Sequence, residues 1–197
     1  MAARLADRYR LLHPVWTDSF GVTHIAAAPD GTPAAVRVLA SVNPAVFHRA
    51  TTDRDLLTSI HHPNVAAVRA VLVENRVSIA TDAVLGRTLR RARMDSDELT
   101  HVATGIAAAL AELHAHGLCH RTLSPSTVVV GRKGEVVLTD VAVGHLLDLP
   151  GSAAQDHEAL AGLVAAVWRN THGRLRRPPR LLRDVWADTM ARARDMG

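Results

Sequence analysis

The feature that most limits how this chain can fold is a long helical pattern that runs into a polar loop and then a pair of short apolar strands. Over residues 96–116, Leu99, Val102, Ile106, Leu110 and Leu113 recur at intervals of three and four, which puts them on one helix face. Asp95 and Glu98 have capping-box spacing at its start, and Gly117 marks its end. The loop at residues 120–128 reads His-Arg-Thr-Leu-Ser-Pro-Ser-Thr-Val. Residues 127–130 and 135–138 then flank the turn Gly131-Arg132-Lys133-Gly134 as a small hairpin. Loops held between packed elements commonly carry catalytic groups. This one offers hydroxyls but no carboxylate, lysine or amide side chain.

Upstream, residues 8–15, 23–28 and 34–39 read as strands of a meander, with a clear turn at Pro29-Asp30-Gly31-Thr32-Pro33. Residues 44–60 suit one helix with Leu56, Leu57 and Ile60 on a face, and His62-Pro63-Asn64 ends it. Two further strands, 66–73 and 76–81, meet at Glu74-Asn75. Beyond the hairpin, residues 154–169 form an apolar helix. A last amphipathic helix begins after Pro178-Pro179, with Leu181, Leu182, Val185, Trp186 and Met190 on one side. The order predicts an α+β chain: a five-stranded antiparallel sheet with one helix, then a mainly helical half.

Aromatics are only 3% of the 197 residues, so the core is built from Val, Leu, Ile and Ala. A single cysteine, Cys119, excludes an internal disulfide and points to a reducing compartment. The N-terminus lacks the apolar run of a secretory signal, and no stretch is long and apolar enough for a membrane span. The expected location is cytoplasmic.

The formal charge is +4, and Lys133 is the only lysine. Arginines at 169, 174, 176, 177, 180 and 183 form a basic stretch that is either a solvated face or a surface for an acidic partner, a phosphorylated protein or an anionic surface. It holds no aromatic to stack a base, which argues against nucleic acid. His114, His116, Cys119 and His120 suggest a metal by composition. Their spacing crosses a helix end and fits no compact zinc pattern, so they read as helix-end and core residues, with Cys119 small and buried.

Several short motifs recur in a telling order: Arg8-Tyr9-Arg10-Leu11-Leu12, Phe20-Gly21, Ala35-Val36-Arg37-Val38-Leu39 and His62-Pro63-Asn64-Val65. Residues 77–89 follow, with Thr81 and Asp82, and then His120-Arg121, Thr139-Asp140 and Asp156. In that order, across residues 7–168, they resemble a protein kinase of the bacterial, eukaryotic-like Ser/Thr type. The resemblance implies a two-lobed fold, with an N-lobe over residues 1–82 and a shortened C-lobe over 83–197. It also implies Gly21, Arg37, Thr81 (the gatekeeper), Asp82 and Asp140 as the residues that would face a nucleotide.

Phosphoryl transfer in that family needs a phosphate cradle, a lysine, metals and a residue that orients the nucleophile. The resemblance implies that each is altered. Trp16 and Asp18 stand at the first two glycine positions of the glycine-rich loop, where only Gly21 remains. Asp18 is expected to repel a triphosphate, and Trp16 either fills part of the cleft or packs on the sheet. Arg37 replaces the lysine, and Asp53 takes the place of its glutamate partner by spacing, so a structural Arg37–Asp53 pair is expected. Two unpaired surface charges are the alternative.

Thr122 occupies the position of the catalytic base, whose contribution is typically ~10²–10⁴-fold. Ser124 replaces the loop lysine and Thr127 the asparagine that holds the second magnesium. Asp140 is left as a weak metal ligand that works only with nucleotide, followed by Val141-Ala142 instead of Phe-Gly. Fifteen residues separate Asp140 from Asp156, with no Ala-Pro-Glu motif between them. His120, Arg121 and Asp156 remain as a fold anchor.

The resemblance therefore implies a pseudokinase without catalytic residues or cofactor, acting as a regulatory or scaffolding module. The alternatives are a divergent Ser/Thr kinase or a sensor that binds ATP and magnesium. The implied partner is a protein, either a phosphopeptide-recognising domain or a true kinase. Among degenerate relatives, the chain resembles the actinobacterial pseudokinase domain attached to the lipid II flippase, which recruits a forkhead-associated domain through a phosphothreonine. No residue here is matched to that phosphosite.

Overall fold

A computed structural model describes residues 5–172. A short helix, α1 (Leu5–Arg8), leads into three antiparallel strands, β1 (Arg10–Asp18), β2 (Gly21–Ala27) and β3 (Pro33–Leu39). With β4 (Val68–Val73) and β5 (Val77–Asp82) they make a five-stranded sheet in the order β1-β2-β3-β5-β4. Pro14 lies at a register shift on β1, and β1 is an edge strand, where a residue without an amide donor is tolerated.

Between β3 and β4, two helices stand where one was expected: α2 (Pro44–Thr52) and α3 (Arg54–Ser59), broken at Asp53. The break has a local cause. Thr51 returns its hydroxyl to the Phe47 carbonyl, and Thr52 donates its single proton to the Asp53 carboxylate at 2.8 Å, with the Arg49 carbonyl 3.4 Å away. Such side-chain bonds compete with the helical ladder.

The second half is organised on α4 (Ser96–Ala115), whose start is the anticipated capping box. Asp95 accepts from the amides of Asp97 and Glu98, and Glu98 accepts from the amide of Asp95, each at 2.9 Å. Its buried stripe includes Leu99, Val102, Ile106, Leu110 and Leu113. Gly117, at φ 71, lets the Leu118 amide return to the Leu113 carbonyl and close the helix.

The hairpin of β7 (Val128–Gly131) and β8 (Val136–Leu138) gains a third strand, β6 (Gly86–Thr88). A 3-10 turn at Leu89–Arg91 follows β6. After β8 come α5 (Val143–Leu146) and α6 (Ala153–His172). The expected last amphipathic helix lies outside the described residues, as does most of the arginine-rich stretch.

The halves share one apolar core, in which Leu57, Ile60 and Val65 meet Leu99, Ile106 and Leu138. The His62-Pro63-Asn64-Val65 turn ties them together. Val65 bridges Leu138, and the Asn64 side-chain amide donates to the Val136 carbonyl at 2.7 Å. The result is a shortened kinase-like fold, a β-rich lobe on a helical one. No helix among the described residues is long and apolar enough to cross a membrane.

Candidate active-site cleft

Between the lobes lies a cavity of about 460 Å³, lined by Trp16, Arg37, Ile79, Thr81, Val129 and Asp140 among others. The loop after α4 contributes Ser126 to the lining, and the rest of that loop is held from the helical lobe. Asp156, on α6 and nearly fully buried, accepts from the His120 amide at 2.7 Å, the Arg121 amide at 2.9 Å and His114 Nε2 at 3.0 Å. Burial pushes its carboxyl up, but the bonds from His114 and the two amides outweigh burial and hold it below the usual value. The structure thus brings His120, Arg121 and Asp156 together.

The backbone at Arg121 is in the left-handed region, φ 63, which costs energy in a non-glycine residue. Close packing holds it there. A Cβ on Gly144 would come within 2.5 Å of the His120 carbonyl oxygen.

His120 itself is buried, and burial lowers its pKa against the bond to Thr139 and the nearby carboxylates. Its Nε2 lies 2.9 Å from the Thr139 carbonyl, which can only accept, so the proton sits on Nε2. Nδ1 then accepts from the Thr122 amide at 3.3 Å. The Thr122 hydroxyl is 3.2 Å from Nδ1 and 3.4 Å from the His120 carbonyl oxygen, so its single proton stays within the loop. Thr127 is similarly engaged. Its Oγ1 donates to the Ser124 carbonyl and accepts from the Ser124 amide, both at 3.0 Å. Ser124 Oγ in turn meets Ser126 Oγ at 2.8 Å.

The upper wall departs from expectation. Arg37 is buried, and its guanidinium bonds Asp18 Oδ1 at 2.5 Å and Thr23 Oγ1 at 3.0 Å, with Asp140 Oδ2 at 3.8 Å. The expected Arg37–Asp53 pair is not formed. Asp53 is bonded instead to His145 Nε2 at 2.8 Å and to the Thr52 hydroxyl. The reason is register. Arg37 lies opposite Thr23, so its side chain projects under the β1–β2 turn that carries Asp18, while the helix break turns Asp53 toward α5.

Asp18 also accepts from the Phe20 amide at 2.8 Å and from Trp16 Nε1 at 2.9 Å, so one carboxylate folds the whole turn. Burial raises its pKa, but the bonds from Trp16 and Phe20 and the charge of Arg37 prevail and lower it. Asp140 goes the other way. Burial raises its carboxyl and Asp18 adds to the rise, against Arg37 and His120.

Trp16 borders the cleft, with the Arg90 guanidinium 4.6 Å from its ring centroid. Gly21, at φ 147, is needed for strand packing, because a Cβ there would fall 2.1 Å from the Val38 carbonyl oxygen. Thr81 lines the cavity, while Asp82, also in the lining, pairs with Arg69 at 2.6 Å. Cys119 is half-buried rather than buried, with its thiol pushed up chiefly by burial. It lies near His114 and Asp156, with donor atoms of the three within 4.8 Å of one another. His145 and the Asp18–Arg37 pair were missed in the sequence. The available signal was complementary: the position of the lysine and a glycine position in the loop above it carry opposite charges.

Residues 19–167 match the profile of the family described as protein tyrosine and serine/threonine kinase. The chain belongs to the protein kinase family. It is 28% identical to the serine/threonine-protein kinase PkaB of Streptomyces coelicolor over 167 residues, covering 76% of this chain and 40% of that protein. It is 31% identical to PkaA of the same organism over 146 residues, 68% of this chain and 27% of that one. A shorter match, 31% over 97 residues, joins it to the probable serine/threonine-protein kinase PknB of Lactococcus lactis, with 46% of this chain and 16% of that protein covered. The chain thus spans well under half the length of these relatives.

Proposed function

We propose that this kinase domain is a pseudokinase, a regulatory or scaffolding module that binds a protein partner in the cytoplasm and transfers no phosphate. The observation that carries the reading is the state of Thr122. At the position of the base stands a hydroxyl whose proton is committed to His120, and a hydroxyl does not accept a proton near neutral pH.

Magnesium-triphosphate also fits poorly. Arg37, the side chain placed to meet phosphates, is already shared between two carboxylates, Asp18 and Asp140. That leaves a net negative charge where a polyanion would lie. Thr127, at the second metal position, spends both its hydroxyl functions on Ser124. Thr122→Asp alone is therefore expected to restore no phosphate transfer.

A specific observation favours a second reading, a nucleotide sensor: the cleft keeps a cavity lined by Ile25, Ala35, Ile79 and Val129 together with Asp140. One experiment separates the two. In a thermal-shift titration with ATP, with and without magnesium, the pseudokinase reading expects no magnesium-dependent stabilisation. Stabilisation that disappears in Asp140→Ala would establish the sensor. Incorporation of labelled phosphate that Asp140→Ala abolishes would overturn the pseudokinase reading.

A further inference from the structure

A second cavity, of about 790 Å³, lies on the helical lobe outside the cleft, where β6 and the turn after it face the start of α4. Arg87, Arg90 and Arg93 line it together with Leu89, Met94 and Val130. All three arginines are exposed, and among the described residues none has a carboxylate within salt-bridge distance. The carboxylate in the lining, Glu98, is held by the Asp95 amide in the capping box. His101 is held by the Gly134 carbonyl, so its ring also has a fixed place. The groove is therefore a concave surface on which three arginines outnumber one carboxylate, leaving a net positive charge.

We propose that this groove docks an acidic, phosphorylated peptide segment of a partner protein. Guanidinium groups match phosphate oxygens in a planar fork, and a cluster of them is a common means of recognising phosphorylated segments. β6 is the edge strand of its sheet, so its free side offers backbone groups to an extended chain. Among the described lining residues there is no Phe, Tyr or Trp to stack a base, which favours a peptide over single-stranded nucleic acid. The apolar lining sits inside a concavity, which a protruding chain reaches and a flat lipid surface does not.

The groove also communicates with the cleft. Thr88 and Arg90 line both cavities, and Arg90 lies over Trp16. A phosphate that engages Arg90 draws it from the indole, so docking alters the surroundings of Trp16. The inference deepens the reading of the domain as a binding module and rests on it for its purpose only. Phosphate transfer in the assay above would overturn that reading and leave the groove intact.

The test is fluorescence anisotropy with a degenerate peptide library carrying a fixed phosphothreonine among acidic residues, beside the same library unphosphorylated. Saturable binding is expected, stronger for the phosphorylated library and weakened by added salt. Arg87→Glu with Arg93→Glu is expected to weaken it by about tenfold or more, with an unchanged melting temperature because both side chains are exposed. Trp16 emission shifts on binding, and the shift is absent from Trp16→Phe. No saturable binding overturns the proposal. So does binding that the double variant leaves unchanged, or displacement of the peptide by a neutral peptide or by anionic vesicles at equal charge.

Discussion

Two carboxylate networks, one in each lobe, are built from different partners. Below, Asp156 is gripped by two backbone amides and a histidine, deep in the helical lobe. Above, Asp18 is gripped by an arginine, an indole and one amide on a turn between strands. The lower network orders a loop whose conformation is strained at Arg121, so it serves the fold whatever the loop's chemistry is. The upper one depends on the side chains of Arg37, Asp18 and Trp16, and it closes on itself. Backbone acceptors and donors survive sequence change, while a side-chain pair is rewritten by it.

Removing the lower carboxylate is the severest way to probe this contrast. Asp156→Ala is expected to cost about 3–5 kcal/mol, because two amides and His114 lose a buried acceptor at once. Urea denaturation measures it, and Asp156→Asn, which keeps one acceptor oxygen, should lose distinctly less. Equal losses would mean that charge, rather than the bonds to the loop, fixes the anchor.

Cutting the upper network should be milder. Arg37→Met leaves Asp18 and Asp140 near one another without a counter-charge, but Asp18 keeps its other two bonds and some exposure to water. A loss of about 1–3 kcal/mol is expected, and a double-mutant cycle with Asp18→Ala should return a coupling of about 1–2 kcal/mol. Additive losses would remove the pair from the account.

Acid should separate the regions by pH. His120 is buried neutral, with its pKa below the ordinary 6.5, so the unfolded chain binds a proton that the folded one refuses. Its contribution is full above 6.5 and lost as pH falls from there toward the folded value. Asp18 and Asp156 lie below their ordinary 3.8, so their contributions persist above 3.8 and disappear only as pH falls through the folded values. Asp140 runs in the opposite sense: its raised pKa makes stability fall as pH climbs from 3.8 through the folded value. Stability followed from pH 7 to 5 should thus decline with a slope that His120→Gln flattens, if the variant folds. At pH 7, Asp140→Asn should be slightly more stable than the parent.

The smallest effect is expected at Asp53, whose bond to His145 links α2 to α5 at a partly exposed site. Asp53→Ala should cost about 1 kcal/mol. The same loss in His145→Ala, and no more in the double variant, would identify their bond as the cause.

What could be read from the sequence was what depends on near neighbours. The α4 capping box, its stripe from Leu99 to Leu113 and the Gly117 stop are set within three or four positions, and each stands where the pattern put it. The Thr51-Thr52-Asp53 break is local too. The apolar pattern of residues 44–60 hid it, because its named residues, Leu56, Leu57 and Ile60, all lie beyond the break. The role of Asp156 as an anchor for the loop was legible only by resemblance to a whole family, and the lateral strand order only in the structure.

The side-chain partners needed the tertiary structure. Arg37 has carboxylates at Asp18, Asp53 and Asp140 to choose from, and chain distance does not rank them. The antiparallel register of β2 and β3 sends its guanidinium toward Asp18, nineteen positions away, while His145, ninety-two positions from Asp53, claims that carboxylate instead. The same holds for the groove. Arg87, Arg90 and Arg93 are neighbours in sequence, but only the packing of β6 against β7 and of the turn near α4 gives them a shared concavity. Sequence determines local geometry because its forces act over a turn or two. Which distant charge arrives within hydrogen-bond reach is decided once the backbone has closed.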